Sequence, residues 1–217
     1  MTAYADVILV SLLLLDLYMV STSRIIACIR VSVLQAVVLA ALPFALGAAR
    51  PGAPASDIVH FVFLAVLTLG VKGALIPWLL LRVLRGLGTH REFEPFVSLH
   101  LSQLVNGALV GIAFWMAWAL PWPSVRAHPL AFGVGLATLL IGLYMTVNRK
   151  KALSQILGYL VIESGLFVIG WTLLGRPSLV VELGVLLDVL VAIMVMGLLV
   201  TRLDVTDDEP TAEGESS

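Results

Sequence analysis

The sequence predicts an all-α polytopic membrane protein of about seven transmembrane helices. Three observations carry that prediction. Of the 217 residues, 60% are hydrophobic and only 12% are charged, where a soluble domain carries about 25% charged residues. Mean hydropathy is +1.04, too high for a soluble core to hide the apolar side chains. The apolar runs are long and continuous, matching the roughly 20 residues that a helix needs to cross about 30 Å of hydrocarbon. A barrel would read instead as short alternating segments.

Polar breaks divide the chain into apolar segments at 4–22, 25–48, 57–84, 96–120, 128–147, 152–174 and 179–202. The first begins "MTAYADVILV", with an aspartate where a cleaved signal would carry a basic residue, and reads as a retained helix. "STSR" (21–24) closes it. The second runs into the Pro/Gly-rich "GAARPGAPASD" (47–57), which ends in a helix N-cap candidate. The third stops at the charged "RGLGTHREFEP" (85–95), and the fourth at the short, stiff "PWPSVRAHP" (121–129). "NRKKA" (148–152) and "GRPS" (175–178) make the last two turns. Beyond Arg202, "LDVTDDEPTAEGESS" is acidic and cannot bury enough apolar surface to fold, so it is predicted to be disordered. The expected organisation is a four-helix region at 1–125, a three-helix region at 126–205 and a cytoplasmic tail at 206–217.

Loop charge sets the orientation. Arg24, Arg30, Arg82, Arg85, Arg91, Arg149, Lys150, Lys151 and Arg202 flank one side of the membrane, and Arg50, Arg126 and Arg176 the other. That bias predicts the N-terminus outside, the C-terminus in the cytoplasm, and a multi-pass location in the cell (inner) membrane. A net charge of −1 gives no sign of a nucleic-acid partner, and the expected surroundings are a lipid bilayer. The single cysteine, Cys28, rules out an internal disulfide and argues against an iron–sulfur cluster or structural zinc bound by this chain alone. No cofactor in this chain and no catalytic triad or phosphate loop is expected. Gly133-Val134-Gly135 reads as a small-residue helix contact, not a nucleotide site.

The chemistry lies inside the apolar segments. Lys72 stands near the middle of the third, within "LTLGVKGALIPWLLL", where an ionised lysine costs roughly 2.5 to 3.5 kcal/mol to insert. It is too deep to snorkel. Two escapes are open: a neutral amine, since burial penalises the charged form, or a partner in a polar interior. Gly70 and Gly73 flank it, and Pro77 follows one turn on and removes a helix hydrogen bond. Such a break is expected to free carbonyls toward a polar path. Glu163 lies mid-way along the sixth segment, on one face with Gln155 and Tyr159. Asp188 is central in the seventh, with Glu182 nearer the outer end. The short "GRPS" turn makes these helices antiparallel neighbours and brings Glu163 and Asp188 to similar depth. His100 begins a polar stripe with Gln103 and Asn106, as a proton carrier or a simple helix contact. Asp16, near the inner end of the first helix, is expected to pair with Arg24. The candidate ion-translocating residues are therefore Lys72, Glu163 and Asp188, flanked by Glu182 and His100.

Two stretches carry a family resemblance. "NRKKALSQILGYLVIESGLFVIG" followed by "LVVELGVLLDVLVAIMVMGLL" resembles the three-helix K-type membrane subunit of complex I and its counterpart, the C subunit of cation/proton antiporter complexes. In that family a basic loop precedes a helix with a glycine and a mid-membrane glutamate, and the next helix carries a second acid. Asp188 takes the second position. Glu163 stands one turn after the first, which Leu160 fills when the two are aligned on Gly158. The chain as a whole, through "GVKGALIPWLLLRVLR" and "GYLVIESGLF…ELGVLLDV", resembles the hydrogenase-4 component E family. That resemblance implies a non-catalytic membrane subunit beside antiporter-like and other membrane subunits of a group 4 [NiFe]-hydrogenase or complex I-like assembly. It implies a contribution to redox-coupled proton or sodium translocation, with the redox centres on other, hydrophilic subunits. Two further readings stay open: a stand-alone ion transporter or channel, against which the chain shows no clear inverted repeat, and a purely structural sealing subunit.

Overall fold

In a computed structural model of the chain, residues 3–47, 55–86, 99–149 and 152–174 are described, together with 184, 191, 193, 196 and 197. Helix α1 spans Ala3–Ser21 and α2 spans Ile25–Gly47. Helix α3 (Ala55–Thr68) runs through a π-helical segment (Leu69–Leu75) into α4 (Ile76–Gly86). Helix α5 covers Leu99–Ala119, the short α6 covers Pro123–Ala127, α7 covers Pro129–Asn148 and α8 covers Ala152–Leu174. Among the described residues six helices are long and apolar enough to cross a membrane. The expected seventh span falls almost wholly outside the described residues, as do the loop at 87–98 and the acidic tail.

The tightest contact in the fold is the antiparallel crossing of α7 and α8, and glycine makes it possible. A Cβ on Gly142 would lie 2.5 Å from the backbone nitrogen of Ile162, and one on Gly165 would lie 2.5 Å from that of Leu139. Gly135 faces the backbone of Ile169, and Gly158 that of Thr146. In each helix the two glycines are seven residues apart, so they recur on one face and let two backbones approach as small residues do in membranes. Gly133 turns to the other neighbour, where its added Cβ would meet the ring of Phe114 on α5 at 2.9 Å. The reading of Gly133-Val134-Gly135 as a helix contact is thus correct.

Around this pair α1 packs on α7 and α2, and α2 in turn packs on α3, the π segment and α8. Contacts therefore run freely across residue 125. One interior cluster joins Met19, Cys28, Ile76, Leu80, Ile141, Met145 and Leu157. A second joins Leu9, Leu12, Leu39, Leu42 and Val134. Phe44, Phe61 and Trp171 meet edge-on and tilted in a chain of ring contacts, 6.3 and 5.8 Å between centroids, that ties α2 and α3 to α8. The outward faces are apolar, as in Val59, Phe63 and Val66 on α3 and Trp115 and Trp118 on α5.

Two expectations need correction. Pro77 does not break the third span. The helix stays continuous by switching register: the Ile76 N–H reaches the carbonyl of Val71, five residues back. Helix α4 begins at Ile76, and Pro77 behind it has no N–H to place in either register, so the switch out of the π turn falls where a donor is missing anyway. Arg149 stands just past α7, where the loop charges were counted, but it does not reach solvent. It is buried, and its guanidinium donates to the carbonyls of Met19 (2.8 Å) and Thr22 (3.3 Å). These are orphan acceptors at the end of α1, where a cation is favoured by both hydrogen bonding and the helix dipole.

Candidate functional site

The π turn decides where Lys72 points. A π turn holds one extra residue and is frequently found at functional sites. Here the segment packs against α2, with the Gly73 position 3.8 Å from the Cβ of Ala36. Lys72 is only 5% exposed. Its Nζ lies 3.2 Å from Oε1 of Glu163 and donates to the Ser164 hydroxyl at 3.1 Å. The Ser164 hydroxyl donates in turn to the carbonyl of Leu160 at 2.9 Å. Glu163 and Ser164 are both buried. Of the two escapes open to the lysine, the structure shows the second, a partner in a polar interior.

The glutamate sits on the side of α8 away from the glycine crossing. Glu163 is two residues from Gly165, about 200° round a helix that turns 100° per residue. Along its own face the burial relaxes in steps. Glu163 is buried, Tyr159 is half-buried and Gln155 is exposed. The Gln155 amide donates to the carbonyl of Arg149 at 3.2 Å. This polar face thus runs from the buried pair to the turn at 148–152. From the seventh segment, a Cβ added to Gly184 would stand 3.9 Å from Oε1 of Glu163, and Val191 is buried in the cluster shared with α8.

The other sequence candidates fare differently. Asp188 and Glu182 lie outside the described residues. His100 is exposed in the first turn of α5 and does not flank the buried pair within this chain. Gln103 and Asn106 of the same stripe point inward: Gln103 reaches the Leu17 carbonyl at 3.5 Å, and Asn106 is fully buried. Asp16 is the clear correction. It does not pair with Arg24, which is exposed. It is fully buried and accepts hydrogen bonds from the Gln35 amide on α2 and from the Thr138 hydroxyl on α7, the latter at 2.6 Å. Sequence spacing offered one signal for this, since Asp16 follows the apolar Leu9 and Leu12 at helical intervals on the face that α1 buries. No group of three or more metal-ligating side chains occurs among the described residues.

Comparisons with known proteins add relatives but no solved template. No protein-family model matches the chain, and no solved structure matches it. It is 30% identical over 182 residues to the uncharacterized protein Rv0085 of Mycobacterium tuberculosis, covering 82% of this chain and 78% of that protein. It is 24% identical over 132 residues to hydrogenase-4 component E of Escherichia coli K12 and of Shigella flexneri. That match covers 61% of this chain and spans 61% of the component E length.

Proposed function

The chain belongs to one family with the uncharacterized protein Rv0085 of Mycobacterium tuberculosis, and on that footing we propose that it is a membrane-arm subunit of a hydrogenase-type, complex I-like assembly in the cell inner membrane. The distant similarity to hydrogenase-4 component E supports the kind of complex. In this reading the chain is non-catalytic, its partners are antiporter-like and other membrane subunits, and it contributes to redox-coupled translocation of protons.

One observation carries the reading: a lysine and a glutamate, both buried, 3.2 Å apart at a π turn. The pair has two internal states of equal net charge. Either an ammonium faces a carboxylate, or the proton has moved from Nζ to the carboxylate and leaves an amine beside a carboxylic acid. The Ser164 hydroxyl serves both, because it accepts from the ammonium and can donate to the amine. Adding or removing one proton then changes the net charge by one, and moving one charge across 100 mV is worth about 2.3 kcal/mol. The graded face through Tyr159 and Gln155 supports an exit toward the 148–152 turn. We assign Asp188 to the same path from the sequence: it stands four residues after Gly184 and three before Val191, the spacing of one helical face. Glu182, nearer the outer end, and, through a partner subunit, His100 are assigned to its ends.

Lys72→Ala and Lys72→Arg in the assembled complex test this. Removing the ammonium leaves Glu163, which a bound proton neutralises, so Lys72→Ala is expected to assemble. Redox turnover is retained and proton uptake per turnover into vesicles falls several-fold. Lys72→Arg is expected to fail in the same way, because a guanidinium does not give up its proton. Wild-type uptake in an assembled Lys72→Ala complex contradicts the reading, and so does ion flux through the lone chain in liposomes, which marks a stand-alone transporter.

A further inference from the structure

The Lys72–Glu163 pair is not the whole of the buried ionisable chemistry. Asp16 is 0% exposed, and Gln35 and Thr138, which enclose it, are 3% and 0% exposed. Neither partner carries a charge. An isolated carboxylate in such a place is costly, and membrane proteins place ionisable groups at depth mainly for function. A purely structural carboxylate would be served best by a guanidinium or ammonium, which only donates and so holds only the ionised form.

We propose that Asp16, held between Gln35 and Thr138, is a second exchangeable proton site of this chain, formed by α1, α2 and α7. Both neighbours are amphoteric. A threonine hydroxyl donates and accepts, and a glutamine amide carries a donor nitrogen and an acceptor oxygen. The carboxylate therefore accepts from both, as seen. When a proton binds at Oδ2, the new hydroxyl can donate to Thr138 Oγ1, and the Thr138 hydrogen can turn to the carbonyl four residues back, as those of Thr146 and Thr172 do. Direct hydrogen bonds from Gln35 and Thr138 close the space around both carboxylate oxygens, which favours a proton over a sodium ion.

Among the described residues, the nearest charged groups off the pocket's own helices are Lys72 of the π segment and Glu163 of α8, bound to each other. On α2, Cys28 is engaged with the Met19 carbonyl, and Arg149 with the carbonyls of Met19 and Thr22. Helix α5 presents Gln103 and Asn106, which do not titrate. Helix α7 adds Tyr144, six residues beyond Thr138.

The inference extends proton handling to a second site, and its test is set on the purified full-length chain in lipid nanodiscs, independent of any complex or pumping assay. Infrared difference spectra are recorded across pH in potassium buffer. A carboxylic C=O band is expected to grow as pH falls in wild type and in Glu163→Gln, and to be lost in Asp16→Asn. Thr138→Val, which keeps the aspartate, is expected to shift the band frequency by removing one hydrogen bond, and it decides the matter should Asp16→Asn not fold. Absence of any band that depends on Asp16 or responds to Thr138→Val overturns the proposal. Displacement of the bound proton by sodium at constant ionic strength overturns the assignment to protons.

Discussion

The two sides of α8 differ in kind. Toward α7 it presents Gly158 and Gly165, and backbone meets backbone with no room for a methyl group. Toward the π segment it presents Glu163 and Ser164, long and short polar groups that meet a flexible lysine. The glycine side fixes where the helix sits. The polar side holds a charge whose partner rides on an irregular turn. A buried acid can be placed accurately only if its helix cannot slide, and a proton can be exchanged only if the opposing group has freedom to respond. In this chain those requirements fall on opposite faces of one helix.

Substitutions can break the comparison from either side. The largest effect on stability is expected from Gly165→Leu. Overpacking costs about 1–3 kcal/mol and occasionally more, and a side chain placed 2.5 Å from the Leu139 nitrogen belongs at the upper end of that range. Thermal unfolding in detergent should show the loss, and an unchanged midpoint would remove the glycine crossing as the positioning device. Arg149→Met comes next. It strips a charged donor from two carbonyls at the end of α1, and hydrogen bonds to charged groups contribute about 1.5–3 kcal/mol. A loss of about 2 kcal/mol is expected by the same assay. The smallest effect is expected from Gly107→Ala on α5, where nothing lies within 4 Å of the added methyl. It should stabilise the chain by about 0.5–1 kcal/mol, the helix preference of alanine over glycine. A large loss there would show that glycine content, not close approach, matters.

Much of this was readable in the sequence, and the exceptions share a cause. The six described spans begin and end within four residues of the apolar segments, because long runs of uniform hydropathy leave little choice of element. Lys72 announced itself by depth and by its glycine and proline neighbours, and Glu163 by its place in the sixth segment. The π register was hidden, since one extra residue per turn leaves no mark in a run that is apolar on all sides. Asp16 was misassigned because sequence offered Arg24 eight residues away, whereas its partners are 19 and 122 residues distant. The partners of Arg149 were hidden for the same reason: the carbonyls it caps lie at the end of α1 and just beyond it, 130 and 127 residues earlier. The spacing of seven between Gly135 and Gly142, and again between Gly158 and Gly165, was visible, but only the antiparallel register of α7 and α8 gives it meaning.

The central claim is that the charge held between Lys72 and Glu163 is exchanged during turnover. Glu163→Gln tests it most directly, because the amide keeps the shape and the hydrogen bond to Lys72 but can no longer take up a proton. Proton uptake per redox turnover is measured in vesicles bearing the assembled complex. The account predicts retained assembly and redox turnover with uptake reduced several-fold. Wild-type uptake in an assembled Glu163→Gln complex would show that the pair merely joins two helices.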